Sequence, residues 1–141
     1  TGGIPANFFQ LAGVTPPVVT PPVTSTVSLD GQGTVAAPFA YDAAGGNITY
    51  TDNATVGGGA RISNFAIGDL INVTNSAGTN IAFTSRTVDN IGSGNDLVIS
   101  FTTTTGIISY IEVLNVVSSA AFIFDATSAR NAVGFNFITI G

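Results

Sequence analysis

The sequence has no cysteine, histidine, methionine, tryptophan or lysine, and each absence closes a class of chemistry. Without Cys and His there is no thiolate or imidazole to ligate a transition metal, and the usual general base is missing. A serine nucleophile would lack the His or Lys that activates it. A glycosidase needs two carboxylates facing one cleft, and the eight acids here are scattered along the chain. The expectation is therefore a protein that is not an enzyme. Absent lysine also removes Lys–Asn isopeptide crosslinks, so any assembly must be noncovalent. A chain free of disulfides fits a bacterial exterior better than a eukaryotic one.

Charge is scarce as well. Only 8% of residues are charged, the net charge is −5 and the pI is about 4.1. The cations are Arg61, Arg86 and Arg130, well separated in sequence, which excludes the clustered basic surface that nucleic acid requires. No apolar run reaches the roughly 18 residues of a membrane-spanning helix. The chain opens at Thr1 with neither methionine nor a basic-then-apolar leader, from which we expect an upstream segment to have been cut away or to lie outside this stretch.

What the chain does have is 45% hydrophobic residues over 141 positions, enough for one domain with its own core. Residues 1–25 differ from the rest. An apolar tip of Phe8, Phe9 and Leu11 is followed by two Thr-Pro-Pro-Val units containing Pro16, Pro17, Pro21 and Pro22. Proline fixes φ and extends its predecessor, so this segment reads as a stiff extended arm. It serves either as a linker or as an arm that docks on another copy of the chain.

Residues 26–141 alternate with period two in short runs: TVAAPFAY, NITYT, ARISNF, DLINVT, NIAFTS, DLVISFTTT, IISYIEVLNV, AFIFDA and VGFNFITI. Turn-forming Gly, Asn, Asp and Ser separate them. The expected fold is all-β, a single β-sandwich or β-roll-like domain behind the arm. Gly106 marks the clearest hairpin. A single helical turn is expected near residues 127–133, capped by Thr127 or Ser128. Glu112, the one glutamate, is expected on the exposed face of its strand.

The stretch DNIGSGNDLVISF, residues 89–101, admits two readings. Asp89, Asn95 and Asp96, joined by Asp69 or Asp52 from another loop, are oxygen ligands of the kind calcium takes. Asp and Asn in a Gly-rich stretch also build Asx turns with no ion at all. Three Asn-x-Thr triplets, at Asn47, Asn53 and Asn72, are formal glycosylation acceptors. With Ser and Thr making up about a fifth of the chain, chance alone accounts for them.

The run IGSGNDLVI matches the nonapeptide calcium repeat at Gly92, Gly94, Asp96 and Val98, with Ile91 in place of the first glycine. Upstream, Ile62, Phe65, Gly68, Asp69 and Ile71 match a segment that flanks such repeats. Over residues 60–114 the chain thus resembles the RTX-like calcium-binding, surface-layer or adhesin β-domains of bacterial type I secreted proteins. The resemblance implies an extracellular or cell-surface location and a β-roll or sandwich. Because a β-roll ion lies between stacked repeats and this chain has one imperfect copy, the resemblance does not carry the calcium site with it.

Two function classes remain. One is a secreted structural subunit of a fibre, pilus-like filament or surface layer, whose partner is other copies of itself. The other is an adhesin or carbohydrate-binding module with glycan as partner, for which Tyr41, Tyr50 and Tyr110 are the candidate stacking residues.

Overall fold

The computed structural model describes residues 24–86, 95–117 and 122–141. The arm residues Phe8, Phe9, Leu11, Pro16, Pro17, Pro21 and Pro22, together with Asp89, fall outside those residues. Among the described residues the fold is all-β, with nine strands and one short helix. In chain order these are β1 (Thr24–Ser28), β2 (Phe39–Asp42), β3 (Asn47–Asn53), β4 (Gly58–Ser63), β5 (Leu70–Thr74), β6 (Asn80–Arg86), β7 (Asn95–Thr102), β8 (Ile108–Val117), α1 (Ala126–Val133) and β9 (Ile138–Ile140).

Up to β5 the chain places successive strands alternately in two sheets. β1, β3 and β5 run parallel in one, and β2 and β4 run parallel in the other. Each circuit through both sheets is one rung. Paired residues of successive rungs lie 21 or 23 apart in sequence, as in Phe39 opposite Ala60, Thr49 opposite Leu70 and Thr24 opposite Asn47. β9 completes the first sheet, in the order β1-β3-β5-β9. β8 joins β4 in parallel and β7 and β6 extend it antiparallel, giving β2-β4-β8-β7-β6. The hairpin expected at Gly106 joins β7 to β8, with Thr102 opposite Ile108 and Gly106 at φ +86°.

Alternation decides which side chains meet. Ile71, Val73 and Ile138 of the first sheet and Ile62, Leu97, Ile99, Phe101, Ile111 and Val113 of the second are at most 1% exposed. Burying each such side chain contributes about 1.5–3 kcal/mol. The sheets share this one core. Ser109 of β8 donates its hydroxyl to Asp52 Oδ2 of β3 at 2.7 Å, and the rings of Tyr41 on β2 and Tyr50 on β3 meet edge-on at 5.8 Å. Only one face of each sheet is buried, so the strands keep an alternating pattern although most pairings are parallel.

Successive rungs nest closely at their corners. A Cβ on Gly59 would collide with the Thr34 carbonyl, and one on Gly33, at φ +61°, would collide with Gly59 O and Phe39 N. Glycine is therefore required at both positions for steric reasons.

Three expectations are corrected. AFIFDA is not a strand: residues 122–125 carry no strand assignment, and Phe122 and Phe124 are 93% and 71% exposed. The helix cap is Asp125, not Thr127 or Ser128. Asp125 Oδ1 accepts the Ser128 N–H at 2.7 Å while Ser128 Oγ accepts the Asp125 N–H at 3.0 Å, a reciprocal capping box that starts α1 and ends the extended chain. Finally, TVAAPFAY is strand only from Phe39, the preceding residues forming the corner that nests on Gly59.

Candidate functional site

Of the acidic residues that suggested calcium, Asp69 and Asp96 are occupied by backbone groups. Asp69 Oδ1 accepts the Ile48 N–H and Oδ2 the Ala66 N–H, both at 2.9 Å, so it ties its own turn to the neighbouring rung. Asp96 is buried at the start of β7, where the ladder with β8 slips register. Its Oδ1 accepts the N–H of Asn115 at 2.8 Å, and Asn115 sits at φ +56° in that irregular part of β8. Asn95 is the first residue of β7. Asp69 and Asp96 are thus placed at different sheets, and among the described residues no three of His, Cys, Asp and Glu form a group that could hold a metal ion.

The sequon asparagines all lie on or at the ends of strands of the first sheet. Asn47 opens β3 beside Gly68. Asn53 Oδ1 accepts both the N–H and the hydroxyl of Thr55, and Asn72 Oδ1 accepts the Thr139 hydroxyl across the β5–β9 pair at 2.8 Å.

The tyrosines are packing residues. Tyr50 is 1% exposed, and burial, reinforced by the charges of Asp69 and Asp42, pushes its hydroxyl up to about 12. Tyr41 is partly buried between Tyr50 and Phe39, and Tyr110 is partly buried with its hydroxyl accepting from Arg86 Nη1 at 3.3 Å. Burial raises both of their pKa values.

Glu112 is also corrected. It stands on the outward face of β8, opposite in direction to Ile111 and Val113, yet it is completely buried. Arg61 of β4 reaches it through Nε at 2.7 Å and Arg86 of β6 through Nη1 at 3.5 Å. The two arginines cover the carboxylate and clamp the parallel part of the second sheet to its antiparallel part.

The two ends of the rung stack are the most distinctive feature of the surface. In a parallel ladder a strand turns the N–H and C=O of alternate residues to opposite sides. The Leu29 N–H donates to Thr51 O at 2.8 Å, so Thr24, Thr26 and Ser28 of β1 turn theirs away from β3. The Ala43 N–H donates to Ser63 O at 2.9 Å, so Ala40 and Asp42 of β2 likewise face outward. Among the described residues no strand lies beyond β1 or β2. The core also reaches solvent here: Phe39, its ring centroid 5.0 Å from that of Tyr41, is 50% exposed.

At the opposite end β9 turns the groups of Ile138 and Ile140 outward, because Phe137 O and the Gly141 N–H serve β5. Arg130, in the last turn of α1, donates from Nη2 to the Ile138 carbonyl at 2.8 Å. Its buried Nε has no hydrogen-bond partner, so this edge is capped at some cost. A surface depression of about 370 Å3 lies beside it, lined by Arg130, Asn131, Gly134, Phe135 and Asn136.

The sequence marks residues 24–29 as a stretch able to pair with another copy through its lack of charge: the first charged side chain in the chain is Asp30, so nothing in β1 guards its edge electrostatically. No protein-family model, no curated protein and no solved structure matches this chain. No helix among the described residues is long and apolar enough to cross a membrane.

Proposed function

We propose that this chain is a noncovalent, self-assembling structural subunit of an extracellular fibre, pilus-like filament or surface layer, built on a β-roll-like domain and joined to its neighbours at the end where its N-terminal arm enters. The observation that carries the reading is that, among the described residues, both sheets finish in the same rung with no strand beyond the outward backbone groups of Thr24, Thr26, Ala40 and Asp42, uncharged on β1 and edged with apolar Phe39. Natural sheet edges are ordinarily blocked by lysine, proline or a covering element, and strand addition to a bare edge is a common mode of association. Low charge and the threonine-rich outer faces suit a packed array. The likeness to RTX-like secreted β-domains supports the extracellular setting.

The glycan-binding alternative draws no support from the tyrosines, which pack into or against the fold. Asp69 and Asp96 act in this reading as turn and bulge anchors rather than ligands, so a chelator leaves the melting temperature unchanged. Sedimentation velocity over a concentration series, with electron microscopy of the most concentrated sample, tests the proposal. Concentration-dependent association is expected, and a strict monomer throughout would defeat it.

A further inference from the structure

We infer that the docking surface is the outer edge of β1 and that its occupant is the β1 edge of a second copy, forming a closed head-to-head pair; this rests on the self-assembly reading and names its contact. The edge offers backbone donors and acceptors at Thr24 and Thr26, the Ser28 carbonyl being engaged by the Tyr41 hydroxyl at 3.4 Å, and the side chains of TSTVS on it are uncharged. A surface that meets its own image must avoid opposing like charges, and β1 meets that condition. β2 brings one acid to the same end, Asp42, whose Oδ1 is engaged by the Ala44 N–H at 3.0 Å and the Asn64 amide at 2.8 Å.

A two-fold axis normal to the sheets sets β1 against β1 and β2 against β2, both antiparallel, and doubles each sheet. It also covers Phe39, which is half exposed at the open end of the core. At the far end Arg130 already holds the outward carbonyl of Ile138, and β6, the other strand with no neighbour beyond it among the described residues, carries the charged Arg86. Residues 1–23, which carry no charged side chain, lead into Thr24, so both arms of the pair start from one junction. A pair made this way closes on itself, and any larger array grows from other surfaces.

The test uses the full chain with Thr26→Lys and Thr26→Asp. Thr26 is the middle residue of β1, and its exposed side chain lies on the solvent face, so two copies bring this position near the axis. Sedimentation velocity is expected to show a dimer for the unaltered chain and at least about tenfold weaker pairing for either variant alone, since like charges then meet. An equal mixture of the two is expected to restore the pair, with far-ultraviolet circular dichroism unchanged in all samples. Variants that associate as tightly as the unaltered chain would overturn the β1 contact while leaving self-assembly standing. Variants that both dissociate without recovery on mixing would overturn the β1-on-β1 geometry. A monomeric unaltered chain would remove the assembly reading and this inference together.

Discussion

The rung that begins the stack and the strand that ends it share one ladder geometry and are finished in opposite ways. At the β9 end a helix delivers Arg130 to the outward Ile138 carbonyl, Phe137 is sealed at 1% exposure, and the neighbouring sheet is extended by a hairpin clamped through Glu112. At the β1 end the outward groups of Thr24 and Thr26 have no strand beyond them among the described residues, and Phe39 stands half exposed. The contrast shows where stability and where association reside. A sealed edge adds packing and refuses partners, whereas an open one gives up packing and keeps its hydrogen bonds for another chain.

Cutting the two aromatic side chains back should separate the ends most sharply. Phe137→Ala removes a ring buried in the core at the sealed end and is expected to cost about 3–5 kcal/mol. Phe39→Ala at the open end should cost under about 1 kcal/mol while weakening association. Urea denaturation measures the first quantity, and equal losses would erase the distinction. The clamp comes next. Glu112→Gln leaves the two guanidinium groups of β4 and β6 without the carboxylate between them and is expected to cost about 2 kcal/mol, less than for a fully buried pair because both arginines keep contact with water. The loss should appear first as faster amide exchange in β6 and β7.

A smaller effect comes from Asp52, inside the core on β3. Burial raises its pKa above the ordinary 3.8, with the Ser109 hydrogen bond opposing the shift and the Asp30 charge adding to it. The folded state therefore binds this proton more tightly than the unfolded one. Its contribution is fully present below pH 3.8 and is lost as pH rises through the higher folded value. Asp52→Asn should remove that decline, so the variant gains on the unaltered chain as the pH of a urea titration is raised from 3 toward neutrality. A constant difference between the two would show that Asp52 does not titrate in this way.

Strand positions were readable because one face of each sheet is buried, which imposes period two on runs such as NITYT and DLVISF. The rung topology was not readable. Nothing local tells β3 to pair in parallel with β1 and β5 instead of folding back on its sequence neighbours. That choice follows from corner nesting, visible in sequence only as the glycines around Gly33 and Gly59. Glu112 shows the same boundary. Alternation puts it on the outer face correctly, but its burial depends on Arg61 and Arg86, brought from 51 and 26 residues away. AFIFDA failed for the opposite reason. The local signal Asp-x-x-Ser was present at Asp125 and Ser128, and a capping box outweighs a short run of alternating apolar residues.

Residue-resolved amide hydrogen exchange at low and high protein concentration tests the central claim, that one end of the sheets is open and accepts a second copy, most directly. The outward amides of Thr26 and Ala40 should exchange rapidly in dilute solution and become protected as concentration rises, while Ile71 and Val73 of β5 stay protected throughout. Protection of Thr26 that does not vary with concentration, or concentration-dependent protection appearing at β9 instead, would contradict it.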